Sequence, residues 1–594
     1  MVDRATKLRW RRRFRRSQKQ VETIGQQAED QLEQHFFRRL GRLASVGRFV
    51  FTWILLFALL VSGVVVQNRA LSRYYQVLQP VPGGTYTEGM VGAFTNANPI
   101  YATNSVDASL AQLVFSSLMQ YDSDGNLVGD LAEKLDVDSR GVEYTVVLRD
   151  DATWHDGRPL TSADVVFTYR TIQNPDAKSP LRPNWQNVKV RAEDERTVVF
   201  VLPHALASFP HSLTNGIIPK HLLDNIPASQ LRSVSFNTVN PVGSGPFAWG
   251  AVQVVGDTPQ TREEQVGLVA YEDYYEGKPK LNRFIIRAFH DQTQLSDSFN
   301  KGELTAAAGL DSATHIIDGQ NIRDYSIPLN ASVMAFFKIS NPILSEVAVR
   351  QSLTQATNTG QVMFDLGYPV IAARGPLLNS HVGYSQDLVQ LPYDPATAKK
   401  RLDEAGWLVG PEGIRQKNGQ NLKLSMYSQN SAQYSYVSQV LQLQWREIGV
   451  DLEVILQPDI ELQNTIAFHS YDILLYGITL GSDPDVYVYW HSSQADVRSQ
   501  NRLNFSELNS DAIDAALEAG RSRLDDNLRA AKYEPFLQAW RNEAPAIVLY
   551  QPRYFYITRG VVHGFNPTAF NNPVDRFANV NNWMIREEKV DIYQ

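Results

Sequence analysis

Residues 144–169 read YTVVLRDDATWHDGRPLTSADVVFTY. With Glu143, the start of this stretch alternates polar and apolar residues, so Glu143–Leu148 is expected to be a strand. Trp154-His155-Asp156-Gly157 then breaks the pattern. Gly157 suits a tight turn, Asp156 can accept backbone N–H bonds there, and Trp154 is apolar bulk to be packed. Thr161 or Ser162 can cap a helix that opens at Ser162-Ala163-Asp164-Val165-Val166-Phe167, with Asp164 in the first turn, where negative charge is favoured. A histidine beside an aspartate invites an enzymatic reading, but the turn accounts for both residues without chemistry. Strand, turn and helix in so short a span make an α/β unit.

Moving outward, the alternation continues. Val81-Pro82-Gly83-Gly84 is a turn signal, and Thr85-Tyr86-Thr87 reads as a short strand. A helix is expected over 107–120 and a strand over Arg196–Leu202. Asn240–Pro246 (NPVGSGP) is a shaped loop. The chain changes character near residue 330. Ser332–Lys338 is strand-like, and helices are expected at Ser345–Thr357, 395–405, Gln439–Ile448 and across Asp511–Arg541. Strands are expected at Leu422–Tyr427, Val450–Gln457, Ala546–Tyr550 and Arg553–Thr558. Gly406 sits where a helix would end in a left-handed residue. Helices alternating with strands in this way point to a mostly covered sheet in a second lobe.

Before all of this lies Phe49–Val66, FVFTWILLFALLVSGVVV, eighteen residues without a charge. As a helix it would span about 27 Å, near the thickness of a bilayer's hydrocarbon layer. The 48 residues before it carry 13 Lys or Arg against 5 Asp or Glu; those after hold 43 against 58. A basic flank marks the cytoplasmic side of a membrane helix. The expected order is therefore a basic cytoplasmic segment (1–48), a single-pass anchor (49–67), a linker (68–80) and a large body outside the cell membrane. The long leader and the lack of small residues after Val66 favour an uncleaved anchor over a processed signal. Leu32, Phe36, Leu40 and Leu43 recur at helical spacing within 17–47, suited either to the inner membrane surface or to a plain polar lead-in to the anchor. The acidic body argues against nucleic acid as a partner. The run Arg9–Arg16 is read as setting topology beside anionic lipid.

There is no cysteine, so thiol chemistry, disulfides and a lipidated cysteine are excluded. The eleven histidines hold no H-x-x-x-H spacing, and neither a G-x-S-x-G elbow nor a P-loop is present. No metal and no cofactor is expected. Asp483 and Asp485 flank a proline and are read as a turn or ligand contact rather than a catalytic pair.

Several segments together carry a family pattern. Beside Tyr144–Tyr169 these are Gly83-Gly84-Thr85, Pro241–Phe247, Asn341-Pro342 before Val349–Leu353, and Tyr393-Asp394-Pro395 before Ala405-Gly406-Trp407. Trp445 before Ile448-Gly449-Val450, then Asp483-Pro484-Asp485, Gly564-Phe565 and Asn582-Trp583 complete the series. In this order the chain resembles the extracellular solute-binding proteins of the oligopeptide and dipeptide type (family 5), receptor components of ATP-driven importers. The resemblance spans most of 81–585 and implies a two-lobed α/β clamshell of the periplasmic-binding-protein kind. Lobe I would hold 81–328 with a return at 546–594, and lobe II 329–545, joined by crossing strands near 328–335 and 544–550.

Such a receptor would do no covalent chemistry. It would bind an oligopeptide or similar small solute between the lobes and pass it to ABC permease subunits. Tyr86 and Thr87 are expected to offer a free strand edge for the peptide backbone, with Asn240, Gly243 and Gly245 in the wall beside it. From lobe II, the 476–491 loop would contribute Tyr476, Asp483, Asp485, Tyr487, Tyr489, Trp490 and His491, aromatic surface with polar tips. Trp154, His155, Asp156, Gly157 and Asp164 belong to the structural motif. Peptide-binding relatives place an aspartate shortly before the position of Asp483, to pair with the ligand's α-amine. Here Ile478–Ser482 holds no acid, so Asp483 or Asp485 would have to substitute, or the ligand be a longer peptide, a capped one, or something else. A sensor signalling to a membrane partner through the anchor is the first rival reading, and an exported hydrolase the second.

Overall fold

The computed structural model describes residues 46–591 apart from 257, 259–261, 311–320, 368, 497 and 500–501. The Arg9–Arg16 run and nearly all of the helix expected over 17–47 lie outside them. The chain divides into two units, residues up to 79 with those from 587 onward, and residues 80–586.

In the first unit a helix runs over Gly47–Tyr75. Its segment Phe49–Ala70 is long and apolar enough to cross a membrane, by length and composition, and its apolar side chains are exposed. The helix runs on through the first part of the expected linker. Gln67–Tyr75 contains neither glycine nor proline, so nothing stops the helix where the apolar run ends. A strand Gln76–Val81 follows and pairs with the late strand Arg586–Asp591.

The second unit is the two-lobed α/β body. A seven-stranded sheet has the spatial order Ile322–Pro328, Arg553–Arg559, Ala306–Leu310, Thr85–Val91, Arg283–Phe289, Glu263–Ala270, Phe247–Val255. A four-stranded antiparallel sheet in the order Ala132–Val137, Glu143–Leu148, Thr197–Val201, Lys189–Ala192 belongs to the same lobe. The other lobe is built on a five-stranded sheet, ordered Asp451–Gln457, Lys423–Gln429, Ile473–Thr479, Ala331–Phe337, Ala546–Tyr550. Ala331–Phe337 shows why its sequence is apolar without a break. Val333, Ala335 and Phe337 enter the core on one face, Met334 and Phe336 that on the other.

The chain passes between the large sheets twice, side by side. Ile322–Pro328 pairs with Arg553–Arg559 in one sheet, and Ala331–Phe337 with Ala546–Tyr550 in the other. The crossings at 329–330 and 551–552 are bonded together: Leu329 N–H donates to Pro552 C=O (3.1 Å) and the Gln551 side chain to Leu329 C=O (2.8 Å). Asn330 C=O accepts from the N–H groups of Leu480 and Gly481.

The helix expected over 107–120 spans only Ser105–Val114. Val114 C=O accepts from Gly245 N–H, and Ser116 and Ser117 turn to bond Ser244 and Asp130. These tertiary partners end the helix where propensity alone would not.

The start and end of the body meet in a buried cluster. Glu88 and Arg576 are both fully buried and joined at 2.6 Å. Arg576 also donates to Ser109 Oγ (2.9 Å) and Pro573 C=O (2.6 Å), and Tyr556 Oη donates to Glu88 (2.6 Å). Removing one member strands the other charge away from water. Arg576→Met should therefore destabilise the body by about 3–5 kcal/mol. Denaturant unfolding of the full chain would read this, and a loss under about 1 kcal/mol would contradict it.

Candidate functional site

Several residues proposed from sequence serve the scaffold. Thr85–Val91 lies between two neighbouring strands, not at an edge, so the expected strand-addition site does not exist there. Tyr86 is buried, its ring 5.0 Å from Phe284 and 5.4 Å from Trp583, and its hydroxyl bonds Tyr556 Oη at 2.6 Å. Thr87 exchanges bonds with Thr305. Trp490 is a core residue edge-on to Trp540 at 5.6 Å. It sits on a short helix, Tyr487–Trp490, where a loop was expected. Tyr489 Oη donates to Thr479 C=O, and Tyr476 packs edge-on to Phe505.

The Trp154–Gly157 turn has a definite task. His155 N–H donates to Gly243 C=O (2.8 Å), Gly243 N–H donates to His155 Nδ1 (3.2 Å), and His155 Nε2 lies 2.9 Å from Gly245 C=O. With Nδ1 accepting, the proton sits on Nε2 and donates to Gly245. This one neutral ring holds the loop Asn240–Pro246 against the end of the Ser105–Val114 helix. There a Cβ on Gly243 would fall 1.8 Å from Val114 O. Asn240 is exposed, while Gly243 and Gly245 are buried against the helix. Gly157 takes φ +84°, Trp154 is buried, and Asp164 completes a capping box with Thr161.

The cleft opens between the lobes. One chamber of about 380 Å³ is bounded by Tyr121, Asn184, Trp185, Ser208, His211, Ser212, Thr214 and Asn215 from lobe I, and by Leu480–Asp483 and Asp485 from lobe II. A second, of about 660 Å³, shares Asn184, Ser208 and Ser212 and adds Tyr487, Glu518 and Arg521. Two bonds cross between the lobes here: Ser208 Oγ donates to Asp485 (2.8 Å), and Ala207 N–H to Arg521 C=O (2.9 Å). Tyr487 lies between the His491 ring, stacked at 4.1 Å, and the Arg521 guanidinium, 4.0 Å from its centroid.

Asp483 is gripped by both nitrogens of Arg529 (2.7 and 2.8 Å), and Asp485 by Arg521 (2.9 Å). His211 Nδ1 is 2.8 Å from Tyr121 Oη, and its Nε2 is 3.8 Å from Asp483. Burial pushes the His211 pKa below its usual value, against the pull of Asp483. Burial also lifts the Tyr121 hydroxyl to about 12, so both rings enter the cleft uncharged at neutral pH. Among the described residues no group of three or more His, Asp or Glu could hold a metal ion. Sequence reading missed Tyr121, Trp185, Ser208, His211, Arg521 and Arg529. Each lies in a segment without a motif, and only the fold brings the first five to the cleft and sets Arg529 behind Asp483.

Residues 126–499 match the family described as bacterial extracellular solute-binding proteins, family 5 (middle). The chain is 25% identical over 489 residues to the oligopeptide-binding protein AppA of Bacillus subtilis, covering 80% of this chain and 87% of that one. The crystal structure of the ABC transporter substrate-binding protein CtaP of Listeria monocytogenes superposes with a TM-score of 0.72 at 28% identity, covering 85% of this chain and 99% of that one. NikZ of Campylobacter jejuni, in complex with Ni(L-His), gives 0.72 at 26% identity, covering 84% and 99%.

Burial depresses the His155 pKa to about 4. A depressed histidine stabilises the fold fully above its unfolded value of about 6.5, and that stabilisation is lost as pH falls toward 4. The unfolding temperature of His155→Gln should therefore decline less steeply than that of the native chain between pH 6.5 and 4. Parallel slopes would contradict the clamp.

Proposed function

The chain belongs to the bacterial extracellular solute-binding proteins of family 5, and from that membership we propose a membrane-anchored receptor that takes a peptide or similar small solute into the interlobe cleft and hands it to an ABC importer permease. The observation that carries this reading is the cleft itself: two chambers walled by both lobes, at the foot of a double chain crossing. Paired crossings of this kind let lobes close as rigid bodies, so that contacts from both sides combine on one ligand and water is excluded. The names of the relatives support the solute class: AppA is an oligopeptide-binding protein and CtaP an ABC transporter substrate-binding protein. Family membership makes the work binding rather than catalysis.

The anchor reading draws on the Phe49–Ala70 helix and the basic flank before it. The N-terminus would face the cytoplasm and the body the outside. Tethering would hold the receptor near its permease and raise the effective concentration for docking. Of the residues named from sequence, Asp483, Asp485 and Tyr487 stand at the cleft and are retained as its lobe II wall, with Tyr121, Ser208 and His211 opposite.

Two measurements test the proposal. Full-length protein should stay with membranes through high salt and alkaline carbonate and come off with detergent; release by carbonate alone would remove the anchor. Protein purified in detergent and then denatured should release a bound small solute detectable by mass spectrometry, peptides foremost. Sugars or apolar molecules in their place would overturn the peptide class.

A further inference from the structure

The lobe II wall of the cleft has its charge cancelled from within. Asp483 Oδ1 accepts from Arg529 Nη2 (2.7 Å) and from Asp485 N–H (2.9 Å), and Oδ2 accepts from Arg529 Nη1 (2.8 Å). The side chains of Asp483 and Arg529 are 11% and 6% exposed, so the pair is shielded from water. A fork-to-fork pair of this geometry is strong, and displacing one partner would leave the other charge buried and unpaired. Asp485 is held mainly through one oxygen: its Oδ2 accepts from Arg521 Nη2 (2.9 Å) and Ser208 Oγ (2.8 Å), and its Oδ1 accepts a longer bond from Tyr487 N–H (3.4 Å). The remaining polar side chains around the first chamber are the amides of Asn184 and Asn215, the hydroxyls of Ser212, Thr214 and Ser482, and the Tyr121–His211 pair. In the adjoining chamber Glu518 is mostly in solvent and lies 3.3 Å from His491.

We propose that Arg529 fills, from inside the chain, the place opposite Asp483 that a ligand's cation would otherwise take, so that the cleft selects solutes presenting no positive charge to this wall. The class that fits is neutral and rich in amide or hydroxyl groups, such as a peptide whose amino end is blocked or held elsewhere. This rests on the peptide reading above. Arg529 is then a specificity-determining residue on the helix Asp526–Glu543, although it stands behind the carboxylate and does not line the chamber.

The test uses the full chain in detergent and a mixed tetrapeptide library, once with free amino ends and once N-acetylated, with bound material read by native mass spectrometry. The native chain should bind the N-acetylated library at least as tightly as the free-amine one. Arg529→Met, which frees Asp483, should shift the ratio at least tenfold toward free amines. Asp483→Asn leaves the Arg529 guanidinium unpaired behind the wall and should not move the ratio toward free amines, and this variant and the native chain still decide the matter if Arg529→Met does not fold. A native preference of tenfold or more for free amines that Asp483→Asn erases would overturn the proposal. So would a folded Arg529→Met with no shift. Failure of all three proteins to bind either library would overturn the peptide reading and this inference with it.

Discussion

Everything in the body depends on the chain passing twice between two sheets at the same place. At 329–330 and 551–552 the backbone leaves one hydrogen-bonded pair and enters another, and the two passages bond each other through Leu329, Pro552 and Gln551. Such a junction is stiff against sliding, because any shear would break ladder bonds on both sides, but it can bend. Asn330 ties the junction to the cleft, since its carbonyl holds the N–H groups of Leu480 and Gly481, and the polypeptide from Leu480 to Asp485 forms the lobe II wall. Bending at the crossing is thereby connected to the position of the wall by two hydrogen bonds rather than by a long lever.

The rest of the scaffold fixes what faces that wall. In lobe I, the neutral imidazole of His155 locks a glycine loop onto the end of one helix, and the buried Glu88–Arg576 pair fastens the first strand of the body to its last turns. Both devices bond polar groups that are partly or wholly removed from water, which favours one arrangement over near neighbours. With lobe I rigid, Ser208 and Ala207 can meet Asp485 and Arg521 across the gap at hydrogen-bond distance.

What the sequence made legible follows from local physics. Glu143–Leu148 and the Thr161-capped helix at Ser162–Gln173 were readable because alternation and capping depend on residues within one turn or strand. Ala331–Phe337 was readable because a strand buried on both faces has no polar side to confuse it. Tyr86 shows the limit. Its strand was visible, but whether a strand lies at an edge or in the middle depends on which distant segments join it, here Ala306–Leu310 and Arg283–Phe289. Trp490 looked like cleft surface and is core, because an aromatic side chain carries the same letter in either setting. The carboxylates of Asp483 and Asp485 were found from their motif. Their partners Arg529 and Arg521 come from two later helices more than thirty residues on, and no local pattern announces such a pairing.

The Asp483–Arg529 pair also bears on the habitat of an exposed receptor. Mobile ions weaken attraction between charges that both face water, but reach a sequestered couple far less. Discrimination settled by a couple inside the protein is thus insulated from the salinity of the medium, whereas discrimination by a naked carboxylate would drift with every change in brine or dilution. A cell whose surroundings swing between the two would keep the same selection at its door.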